Sequence, residues 1–265
     1  MTMRAIVAML LVVTGTCYGD QAVAPVQEPR KSPETELVVS TNDLARILLG
    51  ATNCPGAPAA RRLYADHAIS LNPHGNLRAR FDLVSIFSTQ YELLSKLAEC
   101  LVASPVKVRR QPDGSYSFLS QTGQKYLIQI IHDECDSLHF QGVYYITGQR
   151  LLVRLEALLH LESRPNARGG IEYGAKIYAG TDSRLVNLSA RMPFVRDILN
   201  GEVNSVVSKF DPVYAELLTD PQDHLRRLMQ LRDPAAELHF TDEELALVRQ
   251  FVDRLPANPT TDTGK

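Results

Sequence analysis

Between Val106 and Tyr178 six segments of β-type composition follow one another with turn signals between them, and a long helical pattern from Asp182 to about Phe210 comes directly afterwards. Few architectures accept that order. Val106 to Arg110 meets Tyr116 to Leu119 across Gln111-Pro-Asp-Gly114, where Pro presets φ and Gly accepts a positive one. Gln121-Thr-Gly-Gln124 leads into Tyr126 to His132, and the polar stretch Asp133 to Ser137 turns the chain into Leu138 to Ile146. Thr147-Gly-Gln149 then feeds Leu151 to Glu162, and Pro165 to Gly170 makes the last turn before Ile171 to Tyr178.

Alternation assigns faces. Leu151, Val153, Leu155, Leu159 and Leu161 fall on one side of their strand, against Arg154, Glu156, His160 and Glu162 on the other. Ile171, Tyr173, Ala175 and Ile177 alternate with Glu172, Gly174 and Lys176 in the same way. A period of two with one polar side predicts an antiparallel sheet with one wet face, on which His160 would join a surface ladder with Glu156 and Glu162.

Helices flank this series. Ser40-Thr-Asn-Asp43 offers N-caps for Leu44 to Leu49, and Pro58 starts a second helix over Ala59 to Asp66. Ala68 to Leu71 reads as a short strand before a turn, Asn72-Pro-His-Gly75. From Phe81 to Leu101 apolar residues recur at helical spacing. In the long helical pattern Pro193 imposes a kink or a break. Three Asp-Pro steps follow, Asp211-Pro212, Asp220-Pro221 and Asp233-Pro234, and Thr241-Asp-Glu-Glu244 is a capping box for a last helix. The fold class expected is therefore α+β: a curved antiparallel six- to seven-stranded meander packed against a long C-terminal helix, with additional short helices at both ends.

In element order, Ala68 to Phe210 resembles the START/polyketide-cyclase-like helix-grip proteins, through the strand series above and the junction Lys176-Ile-Tyr-Ala-Gly-Thr-Asp-Ser183 into the helix. The resemblance implies that the last helix lies across a curved sheet, and that the cavity between them holds a lipid, a sterol or another hydrophobic molecule. It lies in architecture and not in any motif, so it carries over no ligand residue; Pro193 inside the gripping helix departs from the pattern.

The ends bound the compartment. Arg4 followed by the apolar run Ala5 to Val13 and small residues has the form of a secretory signal over 1–19, and is too short to span a bilayer. Cys17 follows small residues as in a lipoprotein signal, but Thr14 stands where Leu is expected, so lipid anchoring at Cys17 is the lesser alternative. A Pro-rich linker over 20–39, an α+β domain over 40–218, a helical extension over 219–255 and a polar tail over 256–265 complete the division. The protein is expected to be exported to a Gram-negative periplasm or envelope. In that setting Cys54 and Cys100 could form a disulfide. A net charge of −2 lacks the basic footprint of a nucleic-acid binder.

Chemistry is thinly signposted. The densest polar cluster is His132-Asp-Glu-Cys-Asp136 with His139, whose side chains are metal-ligand types at a spacing that matches no standard site. His132, Asp133, Glu134 and His139 are thus weak metal candidates, and a solvated loop is the competing reading. No Gly-x-Ser-x-Gly elbow, phosphate loop or dinucleotide fingerprint occurs, and no cofactor is expected. The sheet is rich in tyrosine, at Tyr126, Tyr144, Tyr145, Tyr173 and Tyr178, which either fills a core or lines a cavity. The expected function is non-catalytic binding of a hydrophobic small molecule or lipid. Its lining would be Tyr126, Ile128, Ile130, Leu151, Val153, Leu155, Tyr173 and Ile177, with Arg154 orienting the ligand. The alternatives are an envelope interaction module with a solid core, and a metal-dependent hydrolase built on the 132–136 cluster.

Overall fold

The computed structural model describes residues 39–77, 90–102, 107–119, 125–150, 153–183, 216–233 and 238–255, with isolated positions 37, 81, 86, 187 and 236. In chain order the elements are α1 (Thr41–Gly50), α2 (Ala57–Ala65), β1 (Ile69–Leu71), β2 (His74–Leu77) and α3 (Tyr91–Val102). Then come β3 (Lys107–Arg110), β4 (Tyr116–Leu119), β5 (Lys125–Cys135), β6 (Phe140–Arg150), β7 (Val153–Pro165), β8 (Ile171–Thr181), α4 (Pro221–Leu228) and α5 (Asp242–Asp253). The fold is α+β, a curved eight-stranded antiparallel sheet with helices against it. The predicted gripping helix over 182–210 lies outside the described residues apart from Asp182, Ser183 and Asn187, as does most of the stretch 78–89 before α3.

Strands β3 to β8 each pair with the next in sequence, a meander. Its turns follow their residues. In the β3–β4 hairpin Gly114 takes φ +80°, and the Asp113 carboxylate accepts hydrogen bonds from the Ser115 N–H and hydroxyl. Between β7 and β8 Gly169 takes φ +81°, while the Asn166 side chain accepts from the Arg168 and Gly170 N–H groups. The helix signals hold as well. Ser40 caps α1, Asp220 caps α4, and Thr241 with Glu244 forms the reciprocal capping box of α5.

Three boundaries differ from expectation. Asn72 to Gly75 is not a turn: β1 and β2 are two halves of one edge strand on β8, Leu71 facing Ile177 and His74 facing Gly174 in unbroken register. The Ala175 N–H donates to the Pro73 carbonyl across the gap, and an edge strand tolerates Pro because its outer side needs no donor. Thr147 to Gln149 also stays within a strand, opposite Leu155 and its neighbours on β7. Gly148 serves there to make room, since the Tyr126 ring covers the place of a Cβ. Finally β5 runs on to Cys135, so the turn shrinks to Asp136–His139, where the Asp136 carboxylate accepts from the Leu138 and His139 N–H groups.

Two apolar clusters lie on opposite faces of the sheet. The larger, on what we term the inner face, joins Ile69, Phe118, Ile146, Leu155, Leu159 and Ile177 to Leu93 and Leu97 of α3, Leu225 and Leu228 of α4, and Leu245, Val248 and Phe251 of α5. The smaller, on the outer face, packs Leu44 and Leu48 of α1 and Ala60 and Leu63 of α2 on Val143, Tyr145, Leu158 and Tyr178. The expected wet face is therefore covered: α1 and α2 lie on it, and His160 and Glu162 are buried beneath them.

Candidate functional site

Register decides what each face presents. On the inner face Tyr126, Gly148 and Leu155 form one row; Ile128, Ile146, Ala157, Ala179 and Ile69 the next; Ile130, Tyr144, Leu159, Ile177 and Leu71 a third. Six of the predicted lining residues, Tyr126, Ile128, Ile130, Leu155, Tyr173 and Ile177, thus share this face. Leu151 and the Val153 side chain lie outside the described residues. Arg154 does not join them. It projects from the outer face, exposed, with its Nε 3.1 Å from Glu156, and cannot reach an inner-face ligand.

A β-bulge then changes the parity of β5. The ladder shifts between Ile130 and His132, so that His132 opposes Val143 on the outer face and Asp133 opposes Gly142 on the inner one. Without the extra residue Asp133 would project outward; a bulge re-aims a side chain in this way. Asp133 thereby enters a tyrosine group. The Tyr91 hydroxyl of α3 lies 2.8 Å from that of Tyr144, and either can donate to the other; the Tyr144 ring covers Gly142, the residue opposite Asp133. The Tyr91 ring stands nearly perpendicular to Tyr116 and to Tyr144, with centroids 5.2 and 6.0 Å away. Burial raises all three phenols above their ordinary values, and the negative charge of Asp133 adds to each. Tyr116, which opposes Ile128, is half-buried; so are Ile128, Ile130, Tyr91 and Asp133, in contrast to buried Ile146 and Leu159 on the neighbouring strands.

Elsewhere on this face the tyrosines lie flat. Tyr126 covers Gly148, Tyr144 covers Gly142, and Tyr173 covers Gly75, each ring occupying the place of a missing side chain.

The outer face holds a second polar group. His160 is 0% exposed, and its Nε2 lies 3.0 Å from the Gln141 amide and 3.2 Å from Glu162. Its Nδ1 has no hydrogen-bond partner among the described residues. Burial pushes the imidazole down to about 4 and the Glu162 carboxyl up, so the histidine sits neutral under α1. His139 approaches Glu162 at 3.9 Å and His132 approaches Glu134 at 3.7 Å at the rim. Tyr145, on the same face, donates to Glu156 at 2.9 Å and is raised to about 12 by burial and that bond.

The predicted metal cluster is thus divided by the sheet: Asp133 and Cys135 project inward, His132 and Glu134 outward. Among the described residues no three His, Cys, Asp or Glu side chains converge as metal ligands. The Cys54–Cys100 bridge is also not formed. Cys54 lies before α2 on the outer side, its thiol donating to the Ile130 carbonyl, whereas Cys100 packs from α3 on the inner core, and the sheet separates them. Burial raises the Cys100 thiol to about 11, so it stays protonated.

No protein-family profile matches the chain, and neither does any curated protein. Solved structures similar in outline include a hypothetical protein of Helicobacter pylori (8% identity, 55% of this chain and 89% of that one, TM-score 0.39). A conserved protein of Geobacillus kaustophilus gives 14% identity, 57% and 97% coverage and a TM-score of 0.35. Ara h 8.0201 gives 12%, 52% and 98%, and 0.32. None is close enough to transfer a property to this chain.

Proposed function

We propose that this chain is an exported, non-catalytic protein that binds a hydrophobic small molecule or lipid against the inner face of its sheet. The observation that carries this reading is the half-buried strip Ile128–Ile130 on a central strand, bordered by the Tyr91–Tyr144–Asp133 group. Apolar area beside a few fixed polar groups is the usual composition of a small-molecule site. Each Å² of that strip removed from water contributes about 25 cal/mol, with the polar group setting orientation. The signal-like run Ala5 to Val13 supports export.

One observation favours a second reading. Tyrosine rings fill the glycine positions of the same face, as in a solid core that serves only as scaffold for a protein–protein interaction module. Native mass spectrometry of the protein from its own envelope fraction, before and after organic extraction, separates the two. An added mass that extraction removes is the expected result, and its fragmentation identifies the cargo. A bare polypeptide mass, with no uptake of a fluorescent fatty probe, overturns the binding reading in favour of the module.

A further inference from the structure

We infer that the inner-face site recognises a cationic head group, so that its ligand is an amphipathic amine or quaternary ammonium compound with its alkyl part along Ile130 and Ile128. This rests on the binding reading above and adds the class of ligand. Two features carry it. The bulge in β5 places a carboxylate, Asp133, on an otherwise apolar face, and among the described residues no Lys or Arg forms an ion pair with it. A charge taken partly out of water needs an opposite charge or several hydrogen bonds.

The second feature is aromatic. The Tyr91 ring stands nearly perpendicular to those of Tyr116 and Tyr144, and the Tyr144 ring lies over Gly142, opposite Asp133. Ring faces attract ammonium. The hydroxyls of Tyr91 and Tyr144 pair with each other.

Arg110, the exposed cross-strand partner of Tyr116 on β3, is the cation at this edge of the site, and decanoate binding measures whether it, rather than Asp133, sets the head-group preference.

The test compares three decyl compounds below their micelle concentrations by titration calorimetry: decyltrimethylammonium, decanol and decanoate. Wild-type protein should bind the ammonium about tenfold more tightly than either other compound, a preference worth one opposite-charge contact. Asp133→Asn should lower ammonium affinity to the level of decanol while decanol affinity stays put. Tyr116→Leu, at a half-buried ring, should weaken ammonium alone by about three- to fivefold. Decanol or decanoate binding as tightly as the ammonium overturns the head-group assignment and leaves the binding reading standing. So does an ammonium preference retained in both variants. Absence of binding by all three overturns both.

Discussion

The two faces of the sheet handle polar groups in opposite ways. On the outer face the polar residues of β6 and β7 are covered by α1 and paired among themselves, through Gln141 to His160, His160 to Glu162 and Tyr145 to Glu156. On the inner face a single acid is brought in by a bulge and left beside half-buried isoleucines. The outer arrangement is covered, with only His160 Nδ1 left without a partner among the described residues. The inner one sets the paired Tyr91 and Tyr144 hydroxyls beside a half-buried carboxylate.

Two adjacent residues separate the faces most directly. Leu158 projects to the outer face and Leu159 to the inner one, and both are buried. Replacing either with Ala should cost about 2–5 kcal/mol of unfolding free energy in urea, the loss of transfer energy plus a cavity. Only Leu159→Ala, in the row of Ile130 and Tyr144, should also change decyltrimethylammonium affinity. An equal effect of both leucines on binding would mean that the faces are not separate.

Acid should act on the outer face. His160 has its folded pKa at about 4, below the ordinary value of 6.5. The unfolded chain therefore takes up a proton that the folded chain refuses. The stability from keeping His160 neutral is complete above pH 6.5 and is lost as pH falls toward 4, by up to about 3 kcal/mol. Glu162 works the other way at the acid end, because its raised carboxyl favours the folded state once protonated. Urea midpoints between pH 7.5 and 4.5 should fall more steeply for the wild type than for His160→Gln. Parallel curves would show that the imidazole is not shielded as its burial implies.

Much of the sheet could be read from the residues. Period-two alternation assigned Leu155, Leu159 and Ile177 to one face, and Gln111-Pro-Asp-Gly114 marked its hairpin, because both signals are local. What alternation cannot say is whether a polar face is wet. His160 and Glu162 lie where their parity puts them, and α1 and α2, more than ninety residues earlier in the chain, decide that they are buried. The bulge was illegible for a different reason. Ile130-Ile-His-Asp133 contains no glycine or proline to mark an extra residue, so the cluster read as a turn, and Asp133 could not be assigned to the face it occupies. Tyr91 and Tyr116 carried no signal as site residues either, since only the packing of α3 on the sheet brings them to Asp133.

The helices that cover each face offer the smallest and most discriminating contrast. On the inner side Lys96 of α3 reaches Glu244 of α5 at 2.7 and 2.9 Å, with both side chains under a fifth exposed. Glu244 also accepts from the Thr241 N–H in the capping box, and Lys96 lies 5.9 Å from the centre of the Phe240 ring. On the outer side Arg46 meets Asp43 within α1 at 3.0 Å, but in the open, at 79% and 41% exposure. Water screens the second pair and already solvates both partners, whereas truncating Lys96 leaves a sheltered carboxylate short of its cation. Lys96→Ala should therefore cost about 1–3 kcal/mol in urea unfolding, and Arg46→Ala no more than about 0.5 kcal/mol. Raising the salt to 1 M should erase the small effect and spare most of the large one. Equal costs for the two variants would mean that α5 is not held to α3 through this pair, and that the inner face owes its cover to apolar packing alone.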